Sequence, residues 1–262
     1  MAVMNQEASL QLEIADLSMS FGGIQAIRDV SLSVSPGEIY SIIGPNGAGK
    51  TTIFNCISGI YRAKTGSIRF ESRELIGLKP DRIAQLGVSR AFQNIALFKG
   101  MTVLDNLMSA RVHLMKYGLL GAAVYLGRCL REEVQNRDEV EDVIEFLDLQ
   151  PVRKSPVGSL SYGLQKRVEL ARALAMKPKL MLVDEPVSGM NLEEREDMAR
   201  YIIDINEERD ITVILIEHDM GLVMDLSDRV TVLNFGTKIA EGAPGDVSRN
   251  PEVVQAYLGE AG

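Results

Sequence analysis

The sequence predicts an α/β fold in which a nucleotide-binding core is interrupted by a helical subdomain, and three observations carry that reading. The run Gly44-Pro45-Asn46-Gly47-Ala48-Gly49-Lys50-Thr51-Thr52 follows a short apolar segment, Glu38-Ile39-Tyr40-Ser41-Ile42-Ile43, and precedes a helical pattern closed by Gly59. Strand, glycine loop and helix is the context that a phosphate-binding loop requires. Strand patterns return at 179–183 and 212–216, separated by a charged helix at 193–206. Between these two halves, residues 102–150 hold no convincing strand. There Val140, Val143, Ile144 and Leu147 recur at helical spacing.

The remaining elements follow in order. Residues 10–14 alternate apolar and polar, as a half-buried strand does. Residues 30–34 and 67–70 are further short strands, with Pro36-Gly37 and Thr65-Gly66 as turn signals. A short helix at 81–86 precedes a strand at 88–92. Gly118 and Gly121 punctuate the helical stretch, and 151–159 is a loop. Leu164, Val168, Ala171 and Ala175 line one face of the next helix. Residues 229–234 and 237–241 form a hairpin turned at Gly236, and two short helices start near Pro244 and Pro251. The insert spans roughly 94–175, and 1–93 with 176–262 make the core.

The chain has 262 residues, enough for a sizeable core, with 46% hydrophobic and 24% charged residues. A net charge of −8 and no basic run argue against a nucleic-acid surface. Cys56 and Cys129 lie far apart without metal spacing, which reads as two inert thiols in a reducing compartment. The first ten residues lack the pattern of a signal peptide, and the uncharged apolar stretch 117–127 is too short to span a bilayer. The chain is expected to be soluble by itself, with any membrane role supplied by a partner.

The chemistry starts at the glycine loop. Gly44, Gly47 and Gly49 let backbone N–H groups turn toward phosphate oxygens, and the helix start adds a positive dipole end. Lys50 reaches for the β- and γ-phosphates and the Thr51 hydroxyl for Mg²⁺. Met181-Leu182-Val183-Asp184-Glu185 is an apolar strand ending in two acids, one placed to hold Mg²⁺ and the other to orient and deprotonate water. Leu160-Ser161-Tyr162-Gly163-Leu164-Gln165 opens a second helix start suited to an anion, with Ser161 as N-cap.

With Leu-Ser-x-Gly lying between a phosphate-binding loop and Asp184-Glu185, the chain resembles the ATP-binding cassette (ABC) proteins over nearly its whole length. That resemblance implies a P-loop NTPase core with an inserted α-helical subdomain and an N-terminal antiparallel β subdomain. It implies ATP and Mg²⁺ as cofactors, with residues 44–52 around the phosphates: Gly44, Pro45, Asn46, Gly47, Ala48, Gly49, Lys50, Thr51 and Thr52. Phe21, before Gly22-Gly23, matches the ring that stacks on adenine. Thr51, Gln93 and Asp184 match the Mg²⁺ contacts, Gln93 also linking the insert to the core. Lys50, Glu185 and His218 match the catalytic set. Ser188-Gly189-Met190-Asn191 matches a loop crossing between subunits, and Ser161 and Gly163 serve the partner's ATP. His113 reads as an ordinary helix-surface residue. Three positions depart from the family pattern: Tyr162 and Leu164 in the signature, and Asn191 in place of the common aspartate. Activity is expected to survive the signature changes because Ser161 and Gly163 remain, although Tyr162 restricts the backbone where glycine would not. Asn191 keeps the shape of its loop and loses a charge, which argues against a strong charge role there.

The finer resemblance is to ATPase subunits of branched-chain amino-acid importers, the LivG type. It rests on Phe21-Gly22-Gly23, Phe54-Asn55, Arg90-Ala91-Phe92-Gln93, Met101-Thr102-Val103-Leu104, the apolar stretch around Leu119 to Leu126, Leu160-Ser161-Tyr162-Gly163, Glu217-His218-Asp219-Met220, and Asn250-Pro251 to Ala256-Tyr257-Leu258-Gly259. It implies a second ABC ATPase subunit in a homo- or heterodimer, two transmembrane permease subunits and, indirectly, a secreted substrate-binding protein. It places the chain in the cytoplasm, peripheral on the inner face of the membrane. Apolar Ile95, Leu97 and Phe98 are expected to be exposed and to receive a helix of the permease, the alternative being that they pack under their own helical subdomain. Other ABC systems remain the alternatives: urea or amide uptake, lipid or lipopolysaccharide export, or a soluble non-transport ATPase. A regulatory module without turnover fits poorly with Lys50, Asp184, Glu185 and His218 all present.

Overall fold

The computed structural model describes residues 10–92, 97–114 and 128–258. In chain order, β1 (Leu12–Phe21) and β2 (Ile24–Val34) form a hairpin, and β3 (Ile39–Ile43) runs through the glycine loop into α1 (Lys50–Ile57). Then come β4 (Thr65–Phe70), β5 (Arg73–Glu74), α2 (Pro80–Leu86) and β6 (Val88–Ala91). The helical stretch holds α3 (Val103–Ala110), α4 (Arg128–Phe146) and α5 (Tyr162–Leu174). The second half alternates β7 (Leu180–Asp184), α6 (Leu192–Arg209), β8 (Thr212–Ile216), α7 (Met220–Leu226), β9 (Arg229–Asn234) and β10 (Thr237–Gly242). It closes on α8 (Pro244–Val247) and α9 (Pro251–Leu258).

Two sheets result. The smaller is antiparallel in the order β2-β1-β4-β5, which is the expected N-terminal β subdomain. The larger has the order β10-β9-β3-β8-β7-β6, parallel throughout except for the β9–β10 hairpin. The N-terminal strands are longer than the sequence alternation indicated. Register shifts between Ile14 and Leu17, with left-handed Asp16 and Asp29, break the period of two that marks a strand. β5 and α7 were not legible in the sequence at all; two and seven residues are short for a periodic signal.

Period-two side chains place the core on both faces of the larger sheet. Met181, Val183, Val213 and Leu215 point into a cluster with Val168, Ala171 and Met198 from the helices. Their neighbours Leu180, Leu182, Ile214 and Ile216 point the other way, against Ile53, Phe54 and the smaller sheet. Strands covered on both faces read as continuous apolar runs, which is why 180–183 and 212–216 show no alternation. Each such side chain contributes about 1.5–3 kcal/mol when fully buried, so the sheet is a rigid floor for the loops at its edge.

Candidate nucleotide site

The loops that leave β3, β6, β7 and β8 emerge at one edge of the parallel sheet. Ala91 pairs with Val183, Asp184 with Ile216, and Ile42 with Ile216, so the strand ends are level. The carboxyl edge of an open α/β sheet is where such folds bind ligands.

At the end of β3 the chain turns through Gly44 at φ +145°, and a Cβ there would lie 2.1 Å from the Leu233 carbonyl oxygen. At Gly49 (φ +103°) a Cβ would lie 2.6 Å from the Ala26 oxygen. Gly47 (φ +78°) has open space around it and needs only its backbone freedom. The Lys50 side chain is buried, and its Nζ donates to the carbonyls of Gly44 (2.6 Å) and Pro45 (3.0 Å), lying across the loop. Residues 46–52, together with Ala26 and Glu185, line one cleft of about 190 Å³. The glycine loop and the acid after β7, which the sequence joined only by motif, are therefore neighbours.

Asp184 closes β7 and is buried. Its Oδ2 accepts from Arg90 Nη2 at 2.7 Å, and Arg90 Nη1 donates to Asn55 Oδ1 at 2.6 Å. Burial pushes the Asp184 carboxyl above its ordinary value, and the Arg90 hydrogen bond and charge oppose that. Arg90 also lies over the Phe54 ring, 5.4 Å from its centroid. In the sequence Arg90 stands out only as part of a motif. Its apolar strand setting was the available signal, because a charge there needs a buried partner.

Glu185 adopts a left-handed backbone, φ +52°, with its N–H bonded to Ile216 O at 2.8 Å. Glu217, immediately after β8, was not singled out from the sequence for any role. It is fully buried; Oε1 accepts from Val187 N (3.2 Å), and Oε2 accepts from the N–H groups of His218 (2.8 Å) and Asp219 (3.3 Å). One carboxylate thus joins the loop after β7 to the loop after β8 and sets the backbone at His218, whose side chain is exposed. Arg195 ties the same two loops from outside, with Nε on Met190 O (3.1 Å) and Nη1 on Asp219 Oδ2 (3.0 Å).

Ser161 is the N-cap of α5 as expected, its Oγ accepting from Leu164 N at 3.4 Å. Tyr162 takes the first helical position, so the missing glycine costs the backbone nothing here. Its hydroxyl donates to Ser188 O at 3.4 Å. At Gly163 a Cβ would fall 2.1 Å from Glu194 Oε1, so the glycine makes room for that side chain. Asn191 caps α6 in a reciprocal capping box with Glu194, a role that needs an acceptor and no charge.

Phe21, at the tip of the β1–β2 hairpin, is half-exposed and meets Tyr61 edge-on at 5.0 Å between ring centroids. Gln93 and Ile95 lie outside the described residues, as does the stretch 115–127 with Gly118 and Gly121. One expectation is corrected: Leu97 is buried in the helical cluster, leaving Phe98 alone as the exposed apolar residue there among those described. Leu97 is drawn inward because Asn106 holds the next residue on both sides, accepting from Phe98 N (2.9 Å) and donating to Phe98 O (3.1 Å). The Cys56 thiol is buried, as an inert cysteine should be. Among the described residues no helix is long and apolar enough to cross a membrane.

The fold and the loops at its edge define a class of nucleotide-binding cassette, and comparison with known proteins bears this out. The ABC transporter family model matches residues 27–188, and the branched-chain amino acid ATP-binding cassette transporter model matches residues 237–262. The chain belongs to the ATP-binding cassette family of ABC transporters. It is 40% identical over 250 residues to the high-affinity branched-chain amino acid transport ATP-binding protein BraF of Pseudomonas aeruginosa, covering 95% of this chain and 98% of that one. Identity to LivG of Escherichia coli, a protein of the same description, is also 40% with the same coverage. Among solved structures, the ADP conformation of the cassette MJ1267 superposes with a TM-score of 0.83 at 32% identity, over 95% of this chain and 99% of that chain.

Proposed function

We propose that this chain is the ATP-binding and ATP-hydrolysing subunit of an importer for branched-chain or related amino acids. The named relatives are transport ATP-binding proteins for such amino acids and match almost end to end. One observation carries the mechanism. The cleft holding the glycine loop also holds Glu185, while residues 160–165 are not among its lining. This fits a signature helix start offered to a second cassette, with each ATP held between two chains.

In this reading Phe21 stacks on adenine and residues 44–52 cradle the phosphates. Lys50 exchanges its loop carbonyls for phosphate oxygens. Glu185 positions and deprotonates the attacking water, and His218 steadies the γ-phosphate. The oxygen donors Thr51 and Asp184 fit a hard cation, since Mg²⁺ is held by one or two carboxylates together with substrate phosphates. Gln93 would complete that set. Bound there, Mg²⁺ would neutralise charge on the β- and γ-phosphates. Closure follows from binding, because ATP touches both cassettes only in the closed pair, and hydrolysis removes that preference. Residues 1–93 and 176–262 form the nucleotide core and 94–175 the subdomain that carries the signature. The chain acts at the inner face of the membrane, through permease subunits that receive solute from a secreted binding protein.

The test is ATP-driven uptake of labelled leucine, isoleucine and valine by vesicles holding the complete transporter. Uptake that is lost with Lys50→Ala supports the reading. ATP hydrolysis with no uptake of any branched-chain amino acid would overturn the substrate assignment.

A further inference from the structure

Lys166 is a buried lysine to which the nucleotide mechanism assigns no task. It stands on α5, five residues after the cap Ser161, and is only 4% exposed. Its Nζ donates to the Glu185 carbonyl at 3.1 Å and lies 4.8 Å from the centre of the Phe92 ring and 5.9 Å from that of Tyr162. Phe92 and Glu185 follow the ends of adjacent strands, and both hold left-handed backbones, φ +75° and +52°. Such conformations are costly for non-glycine residues and persist only where surroundings enforce them. The ammonium touches both.

A methionine or leucine would fill this space without burying a charge. Burial does pull the Lys166 ammonium below its ordinary value, against the field of Glu169, Glu217, Glu185 and Asp184. An ammonium retained under that penalty, with its hydrogen bond on the backbone of Glu185, connects two functional parts. At one end of the same rigid helix is the Ser161 cap; one turn further in is the hold on Glu185.

We infer that Lys166 is a positioning residue that couples the signature helix to Glu185, so that ATP gripped by Ser161 for the partner cassette sets the carboxylate in this chain's own site. The inference rests on the two-cassette reading above. It makes each site's chemistry depend on occupancy of the other through a single side chain.

The test is steady-state ATP hydrolysis by the assembled transporter. Lys166→Met keeps the unbranched apolar stem, one atom shorter, and removes the ammonium. It should lower kcat by about tenfold or more while KM for ATP stays within about twofold, because a misplaced base affects the chemical step and not ground-state binding. Lys166→Arg should retain most of the wild-type kcat. Ser161→Ala should lower kcat alone yet add little to Lys166→Met, since both cut the same link. If Lys166→Met does not fold, Lys166→Gln replaces it with the same expectations. Wild-type kcat in the uncharged variant, a loss confined to KM, or losses that multiply with Ser161→Ala would each overturn the coupling. Glu185→Gln run alongside separates the two failures. If that variant hydrolyses ATP normally, the underlying assignment of the base is at fault; if it is inactive while Lys166→Met is normal, only the coupling fails.

Discussion

Arg90 Nη2 donates to Asp184 Oδ2 at 2.7 Å, with the two side chains only 11% and 9% exposed. This pair links the strand before Gln93 to the acid that ends β7, and through Asn55 it reaches the helix behind the glycine loop. The acid that the mechanism needs ionised is thereby held in place from behind.

Arg90→Met should therefore destabilise the fold, because it leaves a buried carboxylate without its cation. Breaking a buried pair from one side costs about 3–5 kcal/mol. Urea unfolding measures it, and the double variant Arg90→Met/Asp184→Asn should lose less than Arg90→Met alone. A single variant within about 1 kcal/mol of wild type would show that the pair does not hold Asp184.

The glycines of the loop should separate into structural and functional ones. Gly44→Ala forces a Cβ to 2.1 Å from a backbone oxygen and should destabilise the fold by about 3 kcal/mol or more. Gly47→Ala meets open space and carries only the left-handed penalty, about 1–2 kcal/mol. Thermal unfolding of both variants checks the order, and Gly47→Ala should retain the fold while weakening ATP binding.

Much of this arrangement was legible in the sequence, for physical reasons. The glycine loop, Asp184-Glu185 and the Ser161 cap are local patterns, read from neighbours along the chain. Residues 180–183 and 213–216 stand out because burial on both faces makes them continuous apolar runs. What escaped is non-local. Glu217 accepts from Val187, thirty positions away, and Arg90 meets Asp184 across ninety-four. Lys166 reads as one more charge on a helix until the fold brings Glu185 and Phe92 to it. Leu97 was misread because its inward turn depends on Asn106, nine positions on.

Cys56 should be nearly inert. Its thiol is buried and pushed up to about 11, so at pH 8 about a thousandth is thiolate against roughly a quarter for a free cysteine. Alkylation of Cys56 followed by peptide mass mapping should run at least about a hundredfold slower than for a model thiol and quicken about tenfold per pH unit. The linkage has a definite sign. The unfolded chain releases this proton first, so the thiol subtracts stability as pH rises from about 9 toward 11. Rapid labelling at pH 8 in the folded protein would contradict the burial.

Phe21→Ala should weaken ATP binding by about 1 kcal/mol or more through lost stacking, roughly fivefold in affinity. Titration with a fluorescent ATP analogue reads it directly. Unchanged affinity would remove Phe21 from the site.

The central claim is that ATP closes two cassettes and that Glu185 ends the closure by hydrolysis. Glu185→Gln removes the base and leaves residues 44–52 intact. Light scattering of this variant, together with its partner cassette, with and without ATP tests the claim most directly. A stable ATP-dependent pair with turnover nearly abolished is expected; hydrolysis at the wild-type rate, or ATP binding without pairing, would show that Glu185 or the closure has been misassigned.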